Sequence, residues 1–544
     1  MKNDIQNDIE LILTDTLRET GLLPPVFDSS WIEFSLGGNF GDISVNIALK
    51  LSRQFKDSPR AIAGRIVPVL TEKISRGPIA EFVQEIKIEG AGFINFYFSS
   101  RFFHEQLVCM VSEPGNYGRL DLGNKKKVLI EFVSANPTGP LSVAHARQAA
   151  VGDALANILS FLGFDVTREY YLNDEGNQIN ILGNSIKTRL QQLEGESVEF
   201  PENYYQGEYI IDLAKAVKEG RVQVTDFSEY GVKEILSTIE QELKDFKVFF
   251  DSWYSQKALR EAGKIEKAFE IIKEYLYREE GALWFKSTQF GDDKDRVVIK
   301  SDGSYTYLAP DIAYHYDKFK RGYEWLINLW GPDHHGYINR LKASIQAMGQ
   351  PADSLAVVIV QLASIFREGK PVEMSTRRGQ YISLREVLTE VGSDAARFFF
   401  IMRRTSSHLN FDLEIAKKQT SENPVYYIQY AYARIGSILR QSGTEIDFSR
   451  CDVSVLTEKE EIDLIKKLWQ FSYILTVCYK TVDPYLLTVY LQEVAEAFHR
   501  FYDRHRVLGQ EESLTRARLS LITGVRVILG SGLQLLGVSR PEKM

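Results

Sequence analysis

The sequence predicts a multidomain α/β protein, in which a βαβ core with a helical insertion lies between an N-terminal α+β domain and a C-terminal all-α domain. A chain of 544 residues is too long for one hydrophobic core and suggests several domains. A strand, a Gly/Pro-rich loop and a long helix follow one another near residue 140, and helical patterns predominate after about residue 420. The expected domains are 1–115, 120–415 with an insertion at about 175–280, and 416–544.

The composition is that of an ordinary soluble globular protein, with 44% hydrophobic and 25% charged residues. No apolar run approaches the ~20 residues that a membrane helix needs, and the N-terminus MKNDIQNDIE is acidic rather than signal-like. We therefore expect a cytoplasmic protein without a membrane partner. Cys109, Cys451 and Cys478 lack CxxC spacing, so we expect neither disulfides nor a zinc site. The net charge of −8 argues mildly against non-specific nucleic-acid binding but leaves room for local basic patches.

The N-terminal region alternates helical and strand patterns, separated by turn glycines. We expect two helices across 43–75 and, around them, a helix at Ile5–Glu19 and strands at Trp31–Ser35, Val83–Ile88 and Phe93–Phe98.

The βαβ unit begins with the apolar strand Val128–Val133. Its loop contains Asn136, Pro137, Gly139 and Pro140, residues that interrupt both strand and helix. A helix begins near His145 and ends at Gly163, and a second strand follows at Val166–Leu172. A right-handed crossover would place a ligand site beyond the first strand, beside the helix N-terminus, where phosphate binds well. On this stretch alone, an ordinary βαβ turn is about equally compatible with the sequence.

The sheet is interrupted after Asn173 by helices with mixed charges, which we expect to be solvated around a modest core. Strand patterns resume at Ala282–Phe285 and Arg296–Lys300, and another strand is expected at Val357–Ile365. Ser383 and Glu386 form a capping box that opens a helix, and a further helix begins near Asp394. The expected insertion helices are 179–193, 209–218 and 232–246.

The segments SANPTGPLSVAHAR and GDAL resemble the arginyl-tRNA synthetase version of the HIGH motif of class I aminoacyl-tRNA synthetases. This resemblance implies a Rossmann-like core that binds ATP through the segment Ser142, Val143, Ala144 and His145. It implies that Ser142 and His145 are catalytic and that His145 helps to hold the ATP phosphates. Ser142 stands in place of the motif's first His, and Ala144 in place of its Gly.

The segment EMSTRRG, Glu373 to Gly379, resembles the KMSKS loop of this family in its MSTR form. The resemblance implies that Met374, Ser375 and Arg377 bind ATP and that Arg377 is catalytic, because the loop stabilises charge on the leaving pyrophosphate. Both lysines of KMSKS are replaced here, by Glu373 and Thr376, and the available cations are Arg377, Arg378 and Lys370. The alternative interpretation is a basic surface turn.

A planar guanidinium with fixed donors is recognised best by carboxylates. By resemblance, the arginine pocket comprises Glu131, Ser134, Ala135, Asn136, His145, Tyr307 and Asp311. Asn136 is expected to hold the polar backbone end of arginine and Tyr307 its side chain. Asp311 precedes IAYHYDKF, so it is alternatively a helix N-cap.

The segment WGPDHHGY contains the expected adenosine-binding residues Asp333 and His334. Asp333, His334 and His335 together resemble metal ligands, but no third His or Cys at ligand spacing accompanies the two histidines, so we expect no metal site in this segment.

The segments GDISVNIALKLSRQF and EGAGFINFYFS resemble the N-terminal domain of these synthetases, and SENPVYYIQYAYARIGSIL resembles their anticodon-binding domain. Tyr427 and Tyr430 lie three apart on one helix face, where their rings would stack on unpaired anticodon bases. Core packing is an equally compatible interpretation of this pair. Arg504 would contact phosphates, and a solvated helix face is again as compatible.

The resemblance covers essentially the whole chain, and it implies an arginine–tRNA ligase. The implied substrates and partners are ATP with Mg²⁺, L-arginine and tRNA(Arg), and a monomer is expected. Two alternatives remain open: a class I synthetase for another amino acid, and a non-catalytic tRNA-binding paralogue.

Overall fold

The N-terminal region is an α+β module built on a four-stranded antiparallel sheet of order β1-β2-β4-β3. The computed structural model describes residues 4–28, 31–38, 40–372, 382–443 and 451–544. Two helices were expected across 43–75, but this stretch begins with a fully buried strand, because Ile43 and Val45 fill the core beneath the sheet. The elements are α1 (Asp4–Glu19), β1 (Phe34–Leu36), β2 (Ile43–Val45), α2 (Ile47–Phe55), α3 (Pro59–Ser75), β3 (Val83–Glu89), β4 (Phe93–Phe98) and α4 (Ser100–Ser112).

The predicted βαβ unit is confirmed as β5 (Lys127–Glu131), α5 (Val143–Phe161) and β6 (Asp165–Leu172), with β5 and β6 parallel. Every residue of β5 after Lys127 is buried, as expected of a strand covered on both faces. Beyond α5, Gly163 has φ +89, the left-handed conformation that ends many helices.

The expected insertion helices are present after β6. Next comes a strand that the sequence analysis missed, β7, which pairs in parallel with β6 at the sheet edge. These elements are α6 (Asn177–Leu193), α7 (Glu208–Lys218), α8 (Phe227–Asp245), β7 (Ser252–Ser255), α9 (Gln256–Glu261) and α10 (Lys264–Ile271).

The strands predicted at Ala282–Phe285 and Arg296–Lys300 are present, and they belong to a separate antiparallel sheet. They are β9 (Ala282–Phe285) and β10 (Arg296–Ile299), which pair with each other and with β8 (Leu276–Glu279). The two residues between β8 and β9, Glu280 and Gly281, have φ +49 and +79. Positive φ at both positions is typical of a tight hairpin turn, which commits these strands to each other.

The parallel sheet is completed by β11 and β12, giving the order β12-β11-β5-β6-β7. From β5 the chain crosses to β6 on one side, and from β11 it crosses to β12 on the other side. A crevice therefore opens between the carboxyl ends of β5 and β11, where doubly wound sheets bind their ligands. The elements of this region are α11 (Leu308–Lys320), β11 (Trp325–Trp330), a short 3₁₀ helix (Pro332–Tyr337), α12 (Ile338–Ala347) and β12 (Leu355–Ile359).

The single strand expected at Val357–Ile365 is two strands, because the chain leaves the sheet after Ile359 and pairs with β14 and β15. The predicted capping box is confirmed, since the backbone N–H of Ser383 donates to Glu386 Oε2 at 2.7 Å. Gly392 has φ +76 inside α13, a break that agrees with a second helix beginning near Asp394. The elements are β13 (Ala363–Arg367), β14 (Lys370–Pro371), α13 (Leu384–Ile401), β15 (Leu409–Asp412) and α14 (Leu413–Lys417).

The C-terminal region is helical as predicted. It packs against the N-terminal module through Trp469, whose ring lies edge-on to Phe98 and Phe102 at centroid distances of 5.6 and 5.5 Å. No helix in the described part of the chain is long and apolar enough to cross a membrane. The helices are α15 (Pro424–Gln441), α16 (Lys459–Trp469), α17 (Phe471–Thr481), α18 (Tyr485–Arg504) and α19 (Glu512–Leu535).

Arg397, on α13, joins four parts of the fold although its side chain is fully buried. It pairs with Asp153 on α5 and donates from Nε to the Leu536 carbonyl at 2.9 Å. Its Nη1 donates to the Phe246 carbonyl at 3.1 Å, at the end of the insertion. Breaking a buried ion pair by removing one partner costs about 3–5 kcal/mol, so this junction is strongly held.

Gly537→Ala is expected to destabilise the protein. Gly537 has φ +68, and an added Cβ would lie 2.2 Å from Arg397 Nη2. Positive-φ strain and the clash both oppose the alanine, at about 1–3 kcal/mol each. Gly509→Ala is the matched control, because Gly509 has φ +74 with nothing within 4 Å. Thermal unfolding of Gly537→Ala should begin several degrees below that of Gly509→Ala, and equal midpoints would contradict the tight packing around Arg397.

Candidate active site

The crevice begins where β5 ends at Glu131. Two residues beyond it, Val133 and Ser134 have φ +68 and +39, a conformation that is strained for a β-branched residue such as valine. The turn directs Ser134 Oγ back to Glu131 Oε1 at 3.2 Å, and the hydroxyl also accepts the Tyr171 N–H at 3.1 Å. Glu131 and Ser134, two predicted pocket residues, are therefore in direct contact.

The start of α5 carries the predicted pair Ser142 and His145. Ser142 is the N-cap, and its backbone N–H donates to His145 Nδ1 at 3.2 Å. Because a backbone N–H can only donate, Nδ1 is unprotonated, and a neutral ring carries its proton on Nε2. Burial lowers the pKa of His145 to about 4, which agrees with a neutral imidazole. His145 can thus offer a hydrogen-bond donor to a phosphate but no positive charge.

The predicted residues Met374, Ser375 and Arg377 fall in 373–381, outside the described residues. Both ends of that segment are described. On one side β14 pairs with β13, and on the other the Ile382 carbonyl accepts the Val143 N–H at 3.3 Å. The segment therefore rejoins the described chain directly beside the start of α5. Since the Val143 side chain is buried and its N–H is engaged, a contact of Val143 with ATP stays a prediction.

Asp311 lies in the first turn of α11 and is not its N-cap, contrary to the alternative raised from the sequence. Tyr307 occupies the N-cap position, because the helix begins one residue later, at Leu308. Asp311 Oδ2 accepts the Tyr337 hydroxyl at 2.6 Å. Burial, reinforced by the negative charge of Glu131, raises the pKa of Asp311 to about 6 against the opposing effect of the Tyr337 hydrogen bond.

A chain of buried polar groups that the sequence analysis missed connects Asp311 with Glu131. His315 Nδ1 bonds with the Asp311 carbonyl at 2.8 Å, and its Nε2 lies 2.9 Å from Asn328 Nδ2. Lys318 Nζ donates to Asn328 Oδ1 at 3.2 Å and to Glu131 Oε2 at 2.6 Å. The available signal was spacing, since His315 and Lys318 fall four and seven residues after Asp311, on one helix face.

The other predicted pocket residues have separate surroundings. Asn136 donates from Nδ2 to Gln178 Oε1 at 2.6 Å, which links the loop after β5 to the insertion helix α6. The Ala135 carbonyl accepts the buried Tyr170 hydroxyl at 2.8 Å. Tyr307 is 79% exposed at the start of α11. A contact of its ring with substrate stays a prediction.

Asp333 and His334 lie on the short 3₁₀ helix that follows β11. They therefore flank the crevice from the strand next to β5. Both side chains are exposed, and His334 Nε2 is 3.6 Å from Asp333 Oδ2. Among the described residues, no group of three or more His, Cys, Asp and Glu side chains is arranged to hold a metal ion.

Arg147, two residues after His145, is a further residue that the sequence analysis missed. Its guanidinium is fully buried and donates to the carbonyls of Gln361 at 2.7 Å, Ser407 at 2.9 Å and Arg404 at 3.0 Å. Burial lowers its pKa to about 10 despite the nearby Asp483 carboxylate. Arg147 thus fixes the turn after α13 and the end of β12 to the helix that carries His145.

In the C-terminal region, the ring of His499 contacts both Tyr427 and Tyr430, at centroid distances of 4.6 and 6.0 Å. Tyr430 also lines a cavity of about 510 Å³, together with Arg434, Tyr502 and the last two residues of the chain, Lys543 and Met544. Arg434 donates to the Tyr430 hydroxyl at 2.8 Å. We call this cavity the tyrosine groove.

Arg504 does not line the tyrosine groove. Its guanidinium forms an ion pair with Glu460 on α16, and its side chain remains largely exposed. A phosphate contact by Arg504 therefore stays a prediction.

The sequence matches three family models in succession. Residues 7–98 match the arginyl tRNA synthetase N-terminal domain, 107–409 the catalytic domain of tRNA synthetases class I (R), and 428–544 the DALR anticodon binding domain.

Relatives match along nearly the full length of the chain. The arginine–tRNA ligase of Citrifermentans bemidjiense is 44% identical over 556 aligned positions, 99% of each chain. Arginine–tRNA ligase 1 of Halalkalibacterium halodurans is 45% identical over 520 positions, 93% of this chain and 92% of the relative. The arginyl-tRNA synthetase structure from Thermus thermophilus, 22% identical, superimposes with a TM-score of 0.78 over 99% of this chain and all of the other, which supports the fold. The chain belongs to the arginyl-tRNA synthetase family of class I aminoacyl-tRNA synthetases.

Proposed function

We propose that this protein is an arginine–tRNA ligase, which joins arginine to ATP as arginyl-adenylate and then transfers arginine to the 3′ adenosine of tRNA(Arg). The observation that carries the proposal is the crevice itself. It joins two acidic side chains, Glu131 and Asp311, to the N-terminus of the helix that carries His145. A cationic amino acid and a polyanionic nucleotide are the two substrates that this combination favours.

The chemistry requires alignment more than a protein nucleophile. The arginine carboxylate attacks the α-phosphate in line, so the site must orient both substrates and stabilise negative charge on the departing pyrophosphate. The N-terminus of α5 and the Nε2 proton of His145 are proposed to contact the phosphates, with Ser142 and Ala144 beside them. Asp333 and His334 are proposed to line the adenosine end.

The remaining phosphate charge is proposed to be met by Arg377 and by Mg²⁺. Arg377 belongs to the segment that rejoins the chain beside α5, together with Met374 and Ser375. Mg²⁺ would enter bound to the nucleotide phosphates, because no described cluster of protein side chains is arranged to hold it.

Arginine is proposed to bind with its guanidinium between Glu131 and Asp311. Ser134 and Ala135 would form the wall at the end of β5, Asn136 would hold the amino-acid backbone, and Tyr307 would cover the side chain. Lysine would be disfavoured because a compact ammonium cannot bridge two separated carboxylates as a planar fork does.

The tRNA partner is proposed to place its anticodon at the tyrosine groove. Tyr430 and Arg434 would offer an aromatic ring and positive charge within the groove, and Tyr427, which shares the contact with His499, a second ring beside it. Arg504 would contact tRNA phosphates outside the groove. We further propose that the protein acts as a monomer in the cytoplasm.

ATP–pyrophosphate exchange is expected to be negligible with arginine and ATP alone and robust once tRNA is added. The loop segment lacks both lysines of KMSKS, so bound tRNA must contribute the free energy that brings it onto ATP. Thr376→Lys should partly relieve this dependence, because a lysine there can reach the developing pyrophosphate charge. Charging of total tRNA with labelled arginine is the accompanying measurement.

Thr389→Lys is the matched control for this experiment, because Thr389 is exposed on α13 outside the segment. Full exchange by the unaltered protein without tRNA would contradict the proposed loop role. No charging with arginine under any condition would favour a non-catalytic tRNA-binding protein, and charging with another amino acid would contradict the pocket assignment.

Asp311→Asn is expected to raise the KM for arginine by about tenfold or more, because the lost charge-assisted pair contributes about 1.5–3 kcal/mol. The KM for ATP should stay nearly unchanged. In the unaltered protein, Asp311 is ionised above its pKa of about 6, so the arginine KM should rise as the pH falls through 6. In Asp311→Asn, the arginine KM should not rise as the pH falls through 6, because the amide does not titrate. Equal increases in the KM values for ATP and arginine would place Asp311 outside the arginine pocket.

Tyr430→Ala is expected to weaken tRNA binding by about 1–3 kcal/mol without changing the dependence of log K on log salt, since stacking releases no counterions. Arg504→Ala should instead reduce that slope. Filter binding at several salt concentrations measures both. A drop of several degrees in Tm for Tyr430→Ala with unchanged affinity would show that the tyrosine only stabilises the helix packing.

A further inference from the structure

Lys318 is a fully buried cation beneath the crevice, and the proposed chemistry does not use it. Its Nζ lies 2.6 Å from Glu131 Oε2 and 3.2 Å from Asn328 Oδ1, and 4.0 Å from the centre of the Tyr314 ring. Because its side chain is 0% exposed, no substrate can contact it directly. Any effect of Lys318 on the reaction must therefore act through the groups that it holds.

The hydrogen bonds to Glu131 and Asp311 leave one oxygen of each carboxylate available to a substrate. Lys318 occupies Glu131 Oε2, and Tyr337 occupies Asp311 Oδ2 at 2.6 Å. Glu131 Oε1 accepts only the rotatable hydroxyl of Ser134 within the described chain, and Asp311 Oδ1 accepts no hydrogen bond there. Each carboxylate thus keeps one oxygen that a substrate can use.

The charges of these groups match a single substrate cation. Ionised Glu131 and Asp311 together with Lys318 sum to −1, so a bound guanidinium neutralises the set. The neighbouring buried carboxylate, Glu169, has its own partner, Arg321, at 2.5 Å, and Lys318 acts on it through space without a hydrogen bond. Without Lys318, Glu131 and Asp311 would face one monovalent ligand with no compensating cation, and the charge of Glu131 raises the proton affinity of Asp311.

We propose that Lys318 is a positioning residue for arginine specificity, because it holds one oxygen of Glu131 and makes the guanidinium bridge one oxygen from each carboxylate. This inference rests on the proposed function and deepens it. A bridging geometry selects a wide planar fork. A free Glu131 carboxylate would instead present both oxygens to any small cation.

Titration of the other groups around this pair does not interfere near neutral pH. Burial raises the pKa values of Tyr171 and Tyr314 well above their usual range, and that of Tyr337 is raised as well. Burial lowers the pKa of His315 well below its usual range. In the unaltered protein these groups therefore keep one protonation state between pH 7 and 9. Loss of Lys318 would raise the proton affinity of Asp311, and also that of His315 and Glu169, whose lowered pKa values Lys318 helps to set.

Lys318→Met tests the proposal, because methionine fills a similar volume without the charge. In tRNA-dependent exchange, the arginine KM should rise by about tenfold or more, the loss typical of a charge-assisted contact, while kcat and the ATP KM change by less than about threefold. The arginine KM of this variant should fall again between pH 7 and 9, as Asp311, whose pKa is no longer lowered by Lys318, loses its proton. Lys320→Met is the matched control, since Lys320 is exposed on the same helix.

An unchanged arginine KM in Lys318→Met, or equal increases for arginine and ATP, would overturn the proposal. Failure of the unaltered protein to charge tRNA with arginine would instead overturn the proposed function, before Lys318 is tested. If Lys318→Met does not fold, a crystal structure of the unaltered protein with arginine decides. The Lys318–Glu131 bond should persist with the guanidinium on one oxygen of each carboxylate, and a guanidinium on both oxygens of either carboxylate would overturn the inference.

Discussion

Two fully buried arginines fix the helix on which the candidate site is built. Arg147 extends from α5 to carbonyls at the end of β12 and after α13, and Arg397 extends from α13 to Asp153 on α5. Each guanidinium donates its hydrogen bonds to protein acceptors instead of water. Loss of either arginine would therefore leave several buried polar groups unpaired, and each unpaired group costs about 1–3 kcal/mol of stability. Since their partners lie up to 260 residues away in sequence, the position of His145 depends on most of the chain having folded.

The parts of the fold that the sequence predicted are those governed by local rules. The apolar period of α5, the capping box at Ser383 and the helices after residue 420 need only neighbouring residues to be recognised. The errors concern pairing between distant segments. The short strand β7 carries no alternation that marks it as part of the parallel sheet, and the chain after Ile359 leaves that sheet so that β13 can pair with β14 and β15. Partner choice of this kind is decided by tertiary packing.

The candidate site shows the same division. Glu131 and Ser134 could be named from the resemblance to arginyl-tRNA synthetases, and the structure places them in contact. Lys318 was missed although its spacing from Asp311 was available, because a lysine on a mixed-charge helix is usually exposed. Its burial follows from two features that the sequence conceals: the carboxylate of Glu131 and the amide of Asn328 come from adjacent strands and together satisfy its ammonium group. The alternative interpretation of Asp311 as a helix N-cap was wrong for a simpler reason, because α11 begins three residues before it.

The proposed phosphate site at the start of α5 needs positive charge that His145 does not provide. With its Nδ1 accepting a backbone hydrogen bond and its pKa near 4, this imidazole remains uncharged at neutral pH. A neutral donor and the partial charge of a helix N-terminus can orient a triphosphate but cannot balance its several negative charges. The remaining positive charge must come from ions and side chains outside α5. Arg377 and Arg378 precede Ile382 in the sequence, and the Ile382 carbonyl is hydrogen-bonded to the first residue of α5. Charge compensation that comes from outside α5 would make the proposed adenylation step sensitive to any partner that acts on those cations, and the proposed tRNA is such a partner.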